Sequence, residues 1–83
     1  MNARFEYDPR ADAAYIEFDE NTEFSHQVNL DDSRVVDYGV NGSVIGVELL
    51  HPGEGVLLDG LPFAEEISRI LAASGFRALA TAG

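Results

Sequence analysis

The chain has 83 residues, 15 of them Asp or Glu against five Arg, with neither lysine nor cysteine, for a formal charge of −10. That length holds one domain with a thin core and no disulfide or cysteine–zinc staple, the condition in which small chains gain burial by self-association. The charge argues against nucleic acid or an anionic membrane as a direct partner, and no apolar run approaches the roughly 18 residues of a membrane-spanning helix.

Phe5-Glu6-Tyr7 opens with the period-two alternation of a half-buried strand. Asp8-Pro9-Arg10-Ala11-Asp12 then reads as a turn, with Pro9 fixing φ and Asp8 and Asp12 placed to accept hydrogen bonds from amides ahead of them. Alternation resumes over Ala13–Phe18, so a hairpin is expected, with Ala14, Ile16 and Phe18 on one side and Tyr15 and Glu17 on the other. After a break at Asp19–Thr22, the clearest alternation in the chain puts Phe24, His26, Val28 and Leu30 on one face and Ser25, Gln27 and Asn29 on the other.

The last hairpin can be given a register. Asn41-Gly42 suits a two-residue type I′ loop, whose central positions both need positive φ. That loop sets Val40 opposite Ser43, Tyr38 opposite Ile45, Asp37 opposite Gly46, Val36 opposite Val47 and Val35 opposite Glu48. Tyr38, Ile45, Val36 and Val47 would then form one apolar patch, which a one-residue slip would destroy.

Beyond His51-Pro52-Gly53-Glu54-Gly55, Val56-Leu57-Leu58 fits either a short strand or a segment tucked under a helix. A helix is expected over 61–75, with Pro62 in its first turn, Glu65 and Glu66 near the positive end of its dipole, and Gly75 as its stop. Phe63, Ile67, Ile70, Leu71 and Ser74 make its stripe, and residues 76–83 read as a frayed tail in which Phe76 and Leu79 can pack. The fold class is therefore α+β: an antiparallel sheet of about five strands over 1–50, built from hairpins or a meander, with one C-terminal helix packed on it as a single domain of residues 1–83. A helix of about 13 residues is roughly 20 Å long and cannot cover such a sheet alone, which again points to a homo-oligomer, a dimer first. With no basic segment leading into an apolar run, no secretory signal is expected and the address is the cytoplasm.

Among candidate chemistries, the carboxylates come first. In the register above, Asp37 and Glu48 share a face, and Glu17 joins them if its strand lies near; a close pair would raise one pKa and permit acid–base chemistry. The same acids equally make the exposed face of a one-sided sheet, and no nucleophile, base or oxyanion donors accompany them. His26 and His51 lack ligand spacing, with His26 placed as a core or interface residue. The aspartates do not follow the calcium-loop pattern, and the glycines form no phosphate-binding motif. No catalytic, cofactor-binding or metal residue is assigned, and no cofactor is expected.

Two blocks carry a resemblance. Tyr7-Asp8-Pro9-Arg10-Ala11-Asp12-Ala13-Ala14-Tyr15-Ile16 resembles the opening of a family of short bacterial and archaeal proteins classed as a domain of unknown function. Val35-Val36-Asp37-Tyr38 and Gly42-Ser43-Val44-Ile45-Gly46-Val47-Glu48-Leu49-Leu50 look like its closing hairpin, with Gly39-Val40-Asn41 in place of a more acidic turn. The resemblance implies a small β-rich protein without an assigned activity, some members being encoded beside toxin-like partners. In it Asp8, Asp12, Gly42 and Gly46 take turn and close-packing places, while Asp37 and Glu48 have weaker structural reasons. The expected function is a non-catalytic acidic module that binds a basic protein in the manner of an antitoxin. The alternative is a self-assembling scaffold or small-ligand binder, and a carboxylate hydrolase comes last.

Overall fold

The computed structural model describes residues 2–79. Five strands, β1 Arg4–Asp8, β2 Ala13–Glu17, β3 Phe24–Asp31, β4 Arg34–Gly39 and β5 Val44–Leu50, form an antiparallel sheet in the order β1-β2-β5-β4-β3. The hairpin β1–β2 and the meander β3–β4–β5 join where β2 pairs with β5, Ile16 opposite Val47 and Ala14 opposite Leu49. These four residues are among the most apolar of the alternating set, so the seam between the two units is also the centre of the core.

The final hairpin departs from its expected register at the turn. Gly39 N–H donates to the Ser43 carbonyl and Gly42 N–H to the Gly39 carbonyl, which makes a three-residue loop with only Gly42 at positive φ (84°). Asn41 instead accepts hydrogen bonds on its side-chain oxygen from the Ser43 amide and hydroxyl, at 3.0 and 2.7 Å. Tyr38 therefore faces Val44, and a bulge at Ile45 restores the expected pairs from Asp37–Gly46 inward. Val44, not Ile45, packs with Tyr38 against the main cluster. A three-residue loop followed by a bulge conserves the inner register as well as a two-residue loop does, because one displacement cancels the other.

After β5 a short 3-10 turn (Pro52–Glu54) leads to β6 Val56–Leu57, helix α1 Ala64–Ala73 and β7 Ala78–Leu79. The helix is shorter than 61–75: Leu61 is buried ahead of it, and Phe63 is its N-cap in a left-handed conformation (φ 55°), so Pro62 lies outside the first turn. Ile67 and Leu71 are its fully buried residues, while Phe63 and Ser74 are exposed. Its end follows the expected stop at Gly75 (φ 84°), with Gly75 N–H to the Ala72 carbonyl and Phe76 N–H to the Leu71 carbonyl. The segment expected to fray is structured at 76–79: Phe76 packs on Phe5 and Tyr7, and β7 pairs in parallel with β6; the rest of that tail lies outside the described residues.

One face of the sheet meets α1 and β6 through Ala14, Ile16, Val36, Val47, Leu49, Val56, Leu61, Ile67 and Leu71. Full burial of a residue such as Ile16 or Leu71 contributes roughly 1.5–3 kcal/mol. The helix does not reach β3, every residue of which is exposed. Among the described residues, no helix is long and apolar enough to cross a membrane.

Candidate functional site

The face of the sheet turned away from α1 is ordered by register into cross-strand rows. One runs Arg4–Glu17–Gly46–Asp37–Gln27, the next Glu6–Tyr15–Glu48–Val35–Asn29, and a third brings Asp8, Ala13 and Leu50 together. The three carboxylates singled out from the sequence, Asp37, Glu48 and Glu17, do lie on this face. They do not form a pair. Glu17 and Asp37 flank Gly46 on opposite sides, and Glu48 is diagonal to Asp37, a separation of about 7–8 Å between such positions.

Asp37 is 8% exposed and both of its oxygens are occupied. Tyr15 Oη donates to Oδ2 at 2.9 Å, and Gln27 Nε2 donates to Oδ1 at 2.9 Å. To reach Asp37 from β2, the Tyr15 ring crosses the intervening strand directly over Gly46, where a Cβ would lie 1.9 Å from the phenolic oxygen. The glycine in mid-strand is thus required by close approach. Four strands are tied by Tyr15, Gly46, Asp37 and Gln27, a satisfied network in which a carboxylate is a structural acceptor. Sequence reasoning missed Tyr15 and Gln27 as its members. The signal was Gly46 in mid-strand between β-branched Ile45 and Val47, two positions before an outward-facing acid.

Burial, then the hydrogen bond to Asp37 and the charges of Asp37, Glu17 and Glu48, push the Tyr15 phenol above its ordinary value near 10. A raised folded pKa stabilises the fold at pH below the unfolded value, and that contribution is lost as pH rises through the folded one. Alkaline titration of stability should therefore fall off above about pH 10 more steeply in the native chain than in Tyr15→Phe. Urea melts at a series of pH values measure this; parallel curves would show that Tyr15 does not carry the alkaline transition.

The turn residues fall where expected, with one difference. Asp8 Oδ1 accepts from the amides of Arg10 and Ala11 across Pro9. Asp12 (φ 49°) does not bond amides ahead of it: its carboxylate accepts from Tyr7 Oη at 2.9 Å and lies 3.2 Å from His51 Nδ1. His26 stacks on Tyr38 with ring centroids 5.2 Å apart and is exposed, so it is not a core residue. Among the described residues, no three His, Asp or Glu side chains are grouped to hold a metal ion.

Glu6, Asp8, Ala13, Tyr15, Glu48 and Leu50 line a depression on this face that combines three carboxylates with apolar surface. Arg4 stands outside it, 3.1 Å from Glu6 and 3.8 Å from Glu17, exposed pairs of little energetic weight. A family model described as "Protein of unknown function (DUF2283)" matches residues 4–51, more than half of the chain and all five strands of the main sheet. No curated protein and no solved structure matches.

Proposed function

The chain belongs to the DUF2283 family, and we propose that it is a non-catalytic acidic binding module whose open sheet face receives basic side chains of a partner protein. One observation carries the reading: the depression lined by Glu6, Asp8 and Glu48 over Ala13, Tyr15 and Leu50 has acids and apolar surface but no base in its lining. Lysine and arginine have the matching anatomy, an apolar stem and a cationic head, and the stem can lie on Tyr15 and Leu50 while the head meets the carboxylates. The charge of −10 speeds encounter with a cationic partner. Asp37, with both oxygens occupied, lies outside the depression, holds Tyr15 in place and takes no part in contact. Neutralisation of a basic partner in the manner of an antitoxin is the biological form this binding would take.

The test is calorimetric titration with an arginine-rich peptide and with its glutamine-substituted counterpart. The arginine peptide should bind, more weakly as salt rises, and Glu6→Gln/Glu48→Gln should weaken it by roughly tenfold, about 1.4 kcal/mol. Equal binding of both peptides, or an unaffected double variant, would rule out this face as the receptor.

A further inference from the structure

The two edges of the main sheet are built differently. The β1 edge alternates Arg4, Glu6 and Asp8 outward, while Phe5 and Tyr7 pack on Phe76, Tyr7 remaining 37% exposed. Charges in that pattern guard an edge strand against pairing with another chain. The β3 edge has no such guard. From Phe24 to Leu30 it carries no carboxylate, arginine, lysine or proline, in a chain of which 24% is charged. All eight of its residues are exposed, Phe24 at 52%, Val28 at 41% and Leu30 at 37%.

Bulges in the pairing with β4 at both ends leave His26–Asn29 as the regular segment. Phe24, opposite Gly39, thereby leaves the row shared by His26 and Val28, which face Tyr38 and Val36 on the core side. That row continues the core past the reach of α1 and stops at the edge, with no described strand beyond it. Two acids border the strip: Asp31 is held by Arg34 at 2.9 Å, and Glu23, directly before Phe24, is exposed.

We infer that β3 pairs antiparallel with β3 of a second copy of this chain, joining two five-stranded sheets into one of ten strands about a two-fold axis. The occupant is chosen by charge and by self-complementarity. Two chains of −10 repel over most of their surfaces, and the strip from Phe24 to Leu30 is where they can meet without an acid in the contact; at its borders Glu23 falls opposite Asp31 of the second copy, whose charge is offset by Arg34. A register centred on Gln27 places His26 opposite Val28 of the second copy and Val28 opposite its His26, an aromatic against a β-branched residue twice over. Phe24 and Leu30 extend the contact at either end. The seven residues Phe24–Leu30 span about 24 Å, and edge pairing over that length removes on the order of 1,000 Å² in all, the lower bound for a specific interface. An axis perpendicular to the sheet puts both helices on one side and both acidic faces on the other. The dimer would present two copies of the depression, which lies across β1, β2 and β5, away from the interface.

Sedimentation equilibrium of the full chain, with and without Val28→Lys, tests this. The native chain should run at twice its 9.0 kDa mass. Val28→Lys should raise the dimer dissociation constant roughly thirtyfold, the scale of a central interface residue, with an unchanged circular dichroism spectrum because Val28 is already exposed in the monomer. Val28→Thr should remain dimeric. A native chain that stays monomeric, one that assembles beyond a dimer, or a Val28→Lys variant that keeps the dimer would overturn the inference. Its fate is separable from that of the basic-partner reading: salt should strengthen this dimer by screening repulsion and weaken peptide binding, and Val28→Lys should leave the peptide site intact.

Discussion

Replacing Arg34 with methionine is expected to destabilise the chain by about 3 kcal/mol, as measured by urea unfolding. Arg34 is 8% exposed and ties the sheet to the segment that follows it. Its Nε and Nη2 bond Asp31 at 3.0 and 2.9 Å, and Nη1 donates to the carbonyls of Leu57 and Asp59. Leu57 needs that donor, because β6 bonds β7 through the amides of its neighbours Val56 and Leu58, which turns the Leu57 carbonyl the other way. Methionine keeps the apolar stem and removes every donor. Asp31 is 44% exposed and can rehydrate, so most of the loss arises from the two carbonyls. A buried carbonyl left without a partner costs about 1–3 kcal/mol; Leu57 is half-buried and bears most of this, while Asp59 is exposed and can rehydrate in part. Lysine at the same position supplies one compact charge in place of a planar fork and should restore less than half of the loss. A domain of this size is stable by only about 4–12 kcal/mol, so the variant should remain folded in buffer but unfold at much lower urea.

The same substitution should alter the acid limb. The hydrogen bond from Arg34, then the Ser33 amide, hold the Asp31 carboxyl below its ordinary value near 3.8. A depressed folded pKa gives stability that is present above the unfolded value and is lost as pH falls through the folded one. Removing Arg34 takes away the largest cause, so stability between neutral pH and the acid range should vary less in Arg34→Met. An acid limb of unchanged slope would show that Asp31 is not held by this contact.

Arg34 also marks where the sequence stopped being legible. The strands were readable because their apolar residues recur at period two, and the inner register of β4–β5 survived a wrong turn type because Ile45 absorbed the displacement. The β2–β5 seam was not readable, since pairing between residues as far apart as Ala13 and Leu50 leaves no local trace. The helix start was misplaced because Pro62 and Leu61 have helix-entry chemistry, but Leu61 is pulled into the core and Phe63 takes a left-handed turn to allow it. The strand at Ala78–Leu79 lacks any propensity signal and exists because β6 supplies a ladder. Of the candidate site, the shared face of Asp37, Glu48 and Glu17 could be derived from alternation. What could not be derived was that Asp37 is taken by Tyr15 and Gln27, because that depends on which side chain leans across a glycine.

Gly46→Ala should therefore be among the most damaging single-methyl changes in the chain, destabilising it by about 3 kcal/mol and lowering the melting temperature by roughly 15 °C. The backbone at Gly46 is ordinary extended strand, so the added Cβ is not strained in itself. Its three nearest contacts are all Tyr15 atoms, at 1.9, 2.3 and 3.0 Å. A tyrosine free in solvent would swing aside at little cost. This one is held at both ends, by the core of β2 and by its bond to Asp37, and moving it leaves a buried carboxylate with Gln27 alone. A hydrogen bond to a charged group contributes about 1.5–3 kcal/mol, and desolvation of the orphaned oxygen adds to it. A double-mutant cycle separates this account from simple overpacking. In a Tyr15→Ala background the alanine at 46 meets none of those atoms and should cost well under 1 kcal/mol, which makes the coupling about 2 kcal/mol. In a Tyr15→Phe background the ring carbon at 2.3 Å remains, and the penalty should persist. If Tyr15→Ala fails to relieve Gly46→Ala, the glycine is required by the backbone of β5 rather than by the tyrosine that crosses it.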